Sequence, residues 1–206
     1  MPASKVPDIV VGRLPLYLRA LGEMAAEGKE ITSSQDLGER LGISSAQIRK
    51  DLSQFGEFGK QGTGYSVDYL AAKLKEILHS DRIWPVILVG AGDLGRAVAN
   101  YGGFLNRGYR IAAVYDSDPA KIGELAGNLT ILNAAHLEQD IQRHGYRVAM
   151  LTVPASAAQG VTDLLVPAGI RAILCYAPTS VSVPPEVNVQ YIDPVLHLQR
   201  MTYYLR

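Results

Sequence analysis

One cysteine in 206 residues is too few for an internal disulfide. Cys175 lies in the apolar run Ala172-Ile-Leu-Cys-Tyr, which reads as a buried strand rather than a reactive thiol. No apolar stretch approaches the ~20 residues that span a bilayer, and the opening Met1-Pro-Ala-Ser-Lys has no signal-peptide core. The expectation is a reduced, cytoplasmic protein with no membrane partner. Excess charge is also missing. The 20 basic and 20 acidic side chains cancel, and residues 1–80 hold ten of each, so no overall basic field advertises nucleic acid. A DNA-binding surface would have to come from where the charges sit. The histidines His79, His136, His144 and His197 fall at no metal-ligand spacing.

What the chain has is a change of style near residue 82. Before it, apolar residues recur at helical spacing. Leu14, Tyr17, Leu18, Leu21 and Met24/Ala25 predict a first helix of roughly 15 residues that starts or kinks near Pro15. Thr32-Ser33-Ser34 offers caps for a second helix over 35–40, which Gly42 stops, and Ser44-Ser45 cap a third over 46–55. The glycine-rich stretch 56–67 predicts a two-stranded hairpin, and 70–78 a fourth helix. After residue 82, strands at 86–89, 111–115, 129–132, 147–152, 171–175 and 188–192 alternate with helices. Those helices are expected at 93–104, 119–123, 134–143, 156–167 and 194–205. Such alternation predicts a parallel sheet with helices on both faces. The fold class is therefore α/β: an N-terminal winged helix-turn-helix over 1–80, a Rossmann-like doubly wound parallel sheet over 81–192, and a C-terminal helix over 193–206.

Residues 34–55 have helix-turn-helix proportions. On the third helix Ile48, Leu52 and Phe55 form the inward stripe, and Asp51 lies toward the core. Lys50 then faces out, with Ala46 and Ser53 beside it, Arg49 on one flank, and Gln47 and Gln54 on the other. Small, polar and basic groups of this kind suit a DNA major groove. Ser44 and Ser45 at the helix start, and Lys60 and Gln61 on the wing, complete the candidate DNA-binding set. A merely solvated amphipathic helix remains the alternative.

The run Val86-Ile-Leu-Val-Gly-Ala-Gly-Asp-Leu-Gly carries Gly90-x-Gly92-x-x-Gly95 behind an apolar strand. In a dinucleotide site the first glycine turns the chain, the second admits a pyrophosphate, and the third lets helix and strand pack closely. Free N–H groups at the helix start face the phosphates. Asp116, at the end of the next strand, can accept hydrogen bonds from both adenine-ribose hydroxyls and would repel a 2′-phosphate, which favours NADH/NAD+ over the phosphorylated forms. Ala91, Leu94 and Ser117 complete that half of the site. Asp93, at the helix N-terminus, is expected to act as a cap. Thr152-Val153-Pro154 and Tyr176-Ala177-Pro178-Thr179 end two strands on the ligand edge and are expected to line the nicotinamide half. The alternatives are a glycine turn packed without ligand and ordinary loop prolines.

No His–acid, Ser–Lys or Cys–His arrangement occurs at the strand ends, and too little chain follows the last strand for a substrate domain. A non-enzyme is expected. Asp193 caps a final helix, Pro194 takes its first turn, and Val195, Leu198, Met201/Thr202 and Leu205 run along one side. That side either closes its own domain or reaches a partner subunit.

Together these segments resemble the redox-sensing transcriptional repressors called Rex. The resemblance rests on Thr32-Ser33-Ser34, Gln47-Ile-Arg-Lys-Asp-Leu-Ser-Gln-Phe-Gly-Glu-Phe-Gly-Lys and Gly62-x-Gly64-Tyr65. In the second half it rests on Gly90-x-Gly92-x-x-Gly95, Tyr101-x-Gly103-Phe104, Asp116-x-Asp118-Pro119, Leu151-Thr-Val-Pro and Ile192-Asp193. It implies a homodimer that binds palindromic operator DNA when NADH is scarce, releases it when NADH binds, and exchanges its C-terminal helix between subunits. It also implies a switch in which Tyr101 and Asp193 pair across the dimer in the NADH state, with Arg19 the competing partner of Asp193. Three positions depart from the family pattern: Gln61 replaces a usual arginine, Gln54 a usual tyrosine, and Asp93 a common asparagine or arginine. A regulator sensing another nucleotide, such as a coenzyme A ester, and a small NAD-dependent oxidoreductase remain as other readings.

Overall fold

The structure, a computed structural model, describes residues 6–59 and 64–205. It divides into two compact units, Met1–Arg82 and Ile83–Arg206.

The first unit contains α1 (Asp8–Val11), α2 (Leu14–Ala26), β1 (Ile31–Thr32), α3 (Ser34–Leu41), α4 (Ser45–Ser53), β2 (Tyr65–Ser66) and α5 (Val67–Ile77). Pro15 lies in the first turn of α2, where its missing N–H leaves no helical bond unmade. The start of α3 is a capping box: the Ser33 hydroxyl accepts from the Asp36 N–H while Asp36 accepts from the Ser33 N–H. Gly42 ends α3 in the left-handed region at φ 67°. Leu14, Tyr17 and Leu21 of α2 pack with Leu37, Ile48, Leu52, Leu70 and Leu74 in one core.

The hairpin expected within 56–67 is not what forms among the described residues. Instead β2 pairs antiparallel with β1, Ile31 opposite Ser66 and Thr32 opposite Tyr65. Gly64 brings the chain in: at φ +77° it passes so close to β1 that an added Cβ would stand 2.5 Å from the Thr32 carbonyl oxygen. Lys60 and Gln61 lie outside the described residues.

In the second unit seven strands follow the order β5-β6-β4-β3-β7-β8-β9. They are β3 (Trp84–Val89), β4 (Tyr109–Asp116), β5 (Leu125–Ala126), β6 (Leu129–Asn133), β7 (Val148–Leu151), β8 (Ala172–Cys175) and β9 (Asn188–Tyr191). All neighbours are parallel except the short β5, antiparallel to β6. Successive side chains of β3 feed opposite faces. Ile87 and Val89 join a core with α7 (Leu137–His144) and α8 (Ala155–Ala168), while Val86 and Leu88 join another with α6 (Asp93–Asn100). Cys175 is fully buried, as its apolar run predicted.

Two helices differ from expectation. Residues 119–123 form turns, because Gly123 adopts φ +92° and sends its N–H to the Ile131 carbonyl, which ends the helical turn begun at Asp118. The helix expected over 93–104 stops at Asn100, where Tyr101 becomes extended (ψ 109°) ahead of Gly102-Gly103. The final helix, α9 (Pro194–Thr202), buries none of its residues. Its apolar side does not close its own unit. Among the described residues no helix is long and apolar enough to cross a membrane.

Candidate nucleotide site and recognition helix

Strand order reverses between β3 and β7, the switch point of a doubly wound sheet, where ligands bind beyond the strand ends. The glycine loop leaves β3 at that point. Gly90, at φ +102°, passes so near β7 that a Cβ would meet the Thr152 carbonyl oxygen at 2.7 Å. At Gly95 a Cβ would overlap the Gly90 carbonyl oxygen and stand 2.9 Å from Thr152 Oγ1. Gly92 is different. Its φ is −74° and an added Cβ would meet nothing within 4 Å. Neither backbone geometry nor internal packing requires glycine there, and the open space lies over the N-terminus of α6. The first N–H groups of that helix have no carbonyl one turn back, which suits an anion.

Asp116 is buried beside this loop. Its Oδ2 accepts the Ala91 N–H at 2.7 Å and its Oδ1 the Asp118 N–H at 2.9 Å, while Lys121 Nζ lies 3.3 Å from Oδ2. Burial pushes this carboxyl up, but the two N–H donors and the Lys121 ammonium outweigh it and hold it below its ordinary value. Asp116 is thus a charged acceptor fixed at the loop. On the other side, Thr152 Oγ1 donates to the Gly90 carbonyl at 2.7 Å, tying the β7 end to the glycine turn. Val153 is half-buried and Pro154 exposed. Ala177 is buried and Pro178 exposed beyond the neighbouring β8 end. Leu94 and Ser117 are exposed. The cap expected from Asp93 is not made: Gly92 holds the N-cap position without a side chain, and Asp93 is the first helical residue.

Two cations near the loop escaped the sequence reading. Lys121 follows Asp116 by five residues through turns where the sequence predicts a short helix over 119–123. Arg96 donates to the Ala91 carbonyl at 3.2 Å and the Leu125 carbonyl at 2.9 Å and pairs with Glu124, tying the loop to β5. Only proximity in sequence could have pointed to either, Arg96 being next to Gly95 and Lys121 five residues after Asp116.

In the first unit, α4 leaves Lys50 exposed, its side chain with no partner among the described residues. Ser44 caps the helix by accepting from the Gln47 N–H at 3.2 Å, and Ser45 opens it half-buried. Gln54 is exposed at the C-cap, and the exposed Ser53 donates to the Lys50 carbonyl at 2.8 Å. Arg49 is exposed, but its guanidinium donates to Ser34 Oγ at 2.9 Å. Gln47 is half-buried and turned inward: its amide donates to Asp51 Oδ1 at 2.6 Å. Asp51 itself is fully buried, and Arg13 and Tyr17 at the start of α2 also donate to it.

The positions assigned to a switch lie apart in the chain. Tyr101 is half exposed at the end of α6, its ring edge-on to Phe104 at 5.0 Å. Asp193 caps α9, accepting the Val195 N–H at 2.9 Å. Arg19 is exposed on α2, 3.9 Å from Glu23.

Comparison with known proteins matches both units. Residues 5–53 match the family described as "Putative DNA-binding protein N-terminus", and residues 81–179 the one described as "CoA binding domain". A redox-sensing transcriptional repressor Rex of Chloroflexus aurantiacus is 55% identical over 199 residues, covering 97% of this chain and 94% of that protein. Rex of Streptomyces coelicolor is 41% identical, covering 98% of this chain and 80% of its own. The chain belongs to the Rex family. Among solved Rex-family structures, RSP in complex with β-NAD+ and operator DNA superposes with a TM-score of 0.93 at 35% identity, covering 98% of this chain and 93% of that one. RSP with β-NADH gives 0.89 at 33% identity, covering 98% and 95%. The first match spans α1 to α4 and takes in Ser44, Ser45, Gln47, Arg49, Lys50 and Ser53 but not Gln54, Lys60 or Gln61, while the second spans the glycine loop, Asp116, Thr152-Val153-Pro154 and Ala177-Pro178.

Proposed function

We propose that this chain is a redox-sensing repressor that binds palindromic operator DNA as a homodimer and is released when NADH binds, so that it responds to the NADH/NAD+ ratio. One observation carries the reading: a glycine loop at the switch point beside a fixed, charged Asp116, in a chain resembling Rex repressors from end to end. The β-NAD+/operator and β-NADH structures of RSP support both ligands. Gly90, Ala91, Gly92, Asp93, Leu94 and Gly95 would hold the pyrophosphate, with Asp116 and Ser117 at the adenine ribose. Thr152, Val153, Pro154, Ala177 and Pro178 would flank the nicotinamide. The protein is not an enzyme and works in the cytoplasm.

The exposed apolar side of α9 supports a dimer. Val195, Leu198 and Met201 are each more than half exposed, and a helix of this kind needs a covering surface. Exchange of 193–206 between subunits supplies one, and it brings Asp193 toward the partner subunit's site, where Tyr101 and Arg19 compete for it. NAD+ differs from NADH at the nicotinamide by one positive charge. Burying that charge without a partner is costly, so a closed apolar pocket prefers the neutral ring. NADH shifts the dimer only by its differential affinity for the two states, and reversing a 1:99 population takes a preference of ~10⁴-fold.

The test is an electrophoretic shift on a palindromic duplex selected by the protein from a randomised pool, with NADH and NAD+ titrated separately. NADH should release the duplex at concentrations where NAD+ does not. Equal retention under both would end the reading. In the same assay Lys50→Ala should lose the specific shift and keep NADH affinity, because Lys50 is an exposed cation of the outward face with no partner among the described residues. Normal footprinting by that variant would remove α4 from the interface.

Asp116→Ala should weaken NADH binding by ~10–100-fold, the loss expected for hydrogen bonds to a charged acceptor, with duplex binding retained in the absence of NADH. Unchanged affinity by fluorescence titration would remove the ribose assignment. The match to a CoA binding domain supports a second reading, a sensor of coenzyme A esters, and a thermal-shift panel of nucleotides separates the two.

A further inference from the structure

We infer that Gln47 acts as a positioning residue, holding the recognition helix α4 in its roll through Asp51, and that it does not read bases. The inference rests on the DNA-binding role of α4 proposed above.

Its basis is how Asp51 is filled. An ionised carboxylate offers about four acceptor sites. Here Oδ2 accepts from Arg13 Nε at 2.5 Å and from the Tyr17 hydroxyl at 2.6 Å, while Oδ1 accepts from Arg13 Nη2 at 2.7 Å and from Gln47 Nε2 at 2.6 Å. All four are taken, and the side chain has no exposure. Three donors come from α2 or its N-cap, and the fourth from α4 one turn before Asp51 itself. The Gln47 amide is therefore committed to a charged acceptor inside the unit, and it cannot turn outward without leaving a buried carboxylate oxygen short of a donor.

The apolar residues of α4, Ile48 and Leu52, fix how deep the helix sits in the core of the first unit. They leave rotation about the helix axis less constrained, because dispersion contacts are not directional. The Arg13 fork meets the two carboxylate oxygens in a fixed plane, and such bidentate pairs are directional. Gln47 completes that geometry from α4 itself. Roll of α4 sets where its whole outward face points, so a disturbance at Gln47 reaches the DNA through every group on that face at once and not through one base contact. It also follows that α4 cannot roll on its own: it moves with the start of α2.

The test uses the full chain and the palindromic duplex selected by the wild-type protein, together with single-base-pair variants of each half-site position. Gln47→Ala should weaken binding about tenfold on the selected duplex and by a similar factor on every variant, so the discrimination profile keeps its shape. In a double-mutant cycle with Asp51→Asn the two losses should fall short of additivity, because both act through one carboxylate. Should Asp51→Asn fail to fold by circular dichroism, Tyr17→Phe, which removes one donor and keeps the charge, replaces it in the cycle. Loss of discrimination confined to one base pair would make Gln47 a reader and overturn the inference. So would strict additivity, or duplex affinity unchanged beside a lowered melting temperature, which would leave Gln47 a purely structural residue. Absence of duplex binding by the wild-type protein would instead count against the proposed function itself.

Discussion

Gly95→Ala is expected to abolish NADH binding and to destabilise the second unit while the first unit stays folded. The added methyl carbon would occupy the place of the Gly90 carbonyl oxygen and press on its carbonyl carbon at 2.9 Å and on Thr152 Oγ1 at 2.9 Å. Two of those three atoms are backbone and cannot swing away. Relief requires α6 to retreat from β3, which opens the glycine turn and separates Asp116 from the Ala91 N–H. Overpacking of a tight site costs about 1–3 kcal/mol and more where backbone must shift. Fluorescence titration should find no NADH binding up to roughly a hundred times the wild-type Kd, an affinity loss of about 2.7 kcal/mol. Wild-type affinity in Gly95→Ala would mean that the helix start is not the phosphate site.

The second large effect is thermal. Asp51→Ala removes the acceptor shared by Arg13, Tyr17 and Gln47 and leaves a guanidinium only 20% exposed without its partner. Breaking a buried pair from one side costs about 3–5 kcal/mol, because the remaining charge has lost its compensation. In a domain of this size each 1 kcal/mol moves the melting point by ~4–8 °C, so the first unit should unfold tens of degrees earlier. Calorimetry should show that transition move while the second unit's transition holds. A shift of a few degrees would mean the network contributes little.

The same carboxyl predicts an acid limb. Burial pushes Asp51 up, but the Arg13, Tyr17 and Gln47 donors outweigh it and hold it below the ordinary value of 3.8. A depressed carboxyl contributes its full stabilisation above 3.8 and loses it as pH falls through the lower folded value. Denaturant titrations across that range should steepen for wild type relative to Asp51→Asn.

Local chemistry was legible in the sequence. Ser33, Ser44, Gly42, Pro15 and Asp193 each act within a few residues, and the structure uses them at helix ends, although the partner Asp36 that completes the box with Ser33 escaped the sequence reading. The glycine loop was legible for the same reason, since strand, turn and helix are contiguous. Residues that meet from afar were not. Asp51 could be turned toward the core by helical phase, but its partners Arg13 and Tyr17 are 38 and 34 residues away and carry no spacing signal. The Ile31–Ser66 pairing hid in the same way, and glycines interleaved with aromatic and β-branched residues suggested a hairpin closed on itself. Residues 119–123 have helical composition, yet a long-range bond from Gly123 to Ile131 decides them.

The bonds from Asp116 to the Ala91 N–H and from Arg96 to the Ala91 carbonyl grip both sides of the loop at one residue. A cradle already braced in this way has little freedom left to surrender when an anion arrives, so binding forfeits little ordering entropy. On the proposed assignment of this loop to the pyrophosphate, selectivity between oxidised and reduced dinucleotide would be free to reside at the far end of the ligand, because both forms would meet an equally finished grip on their shared phosphates.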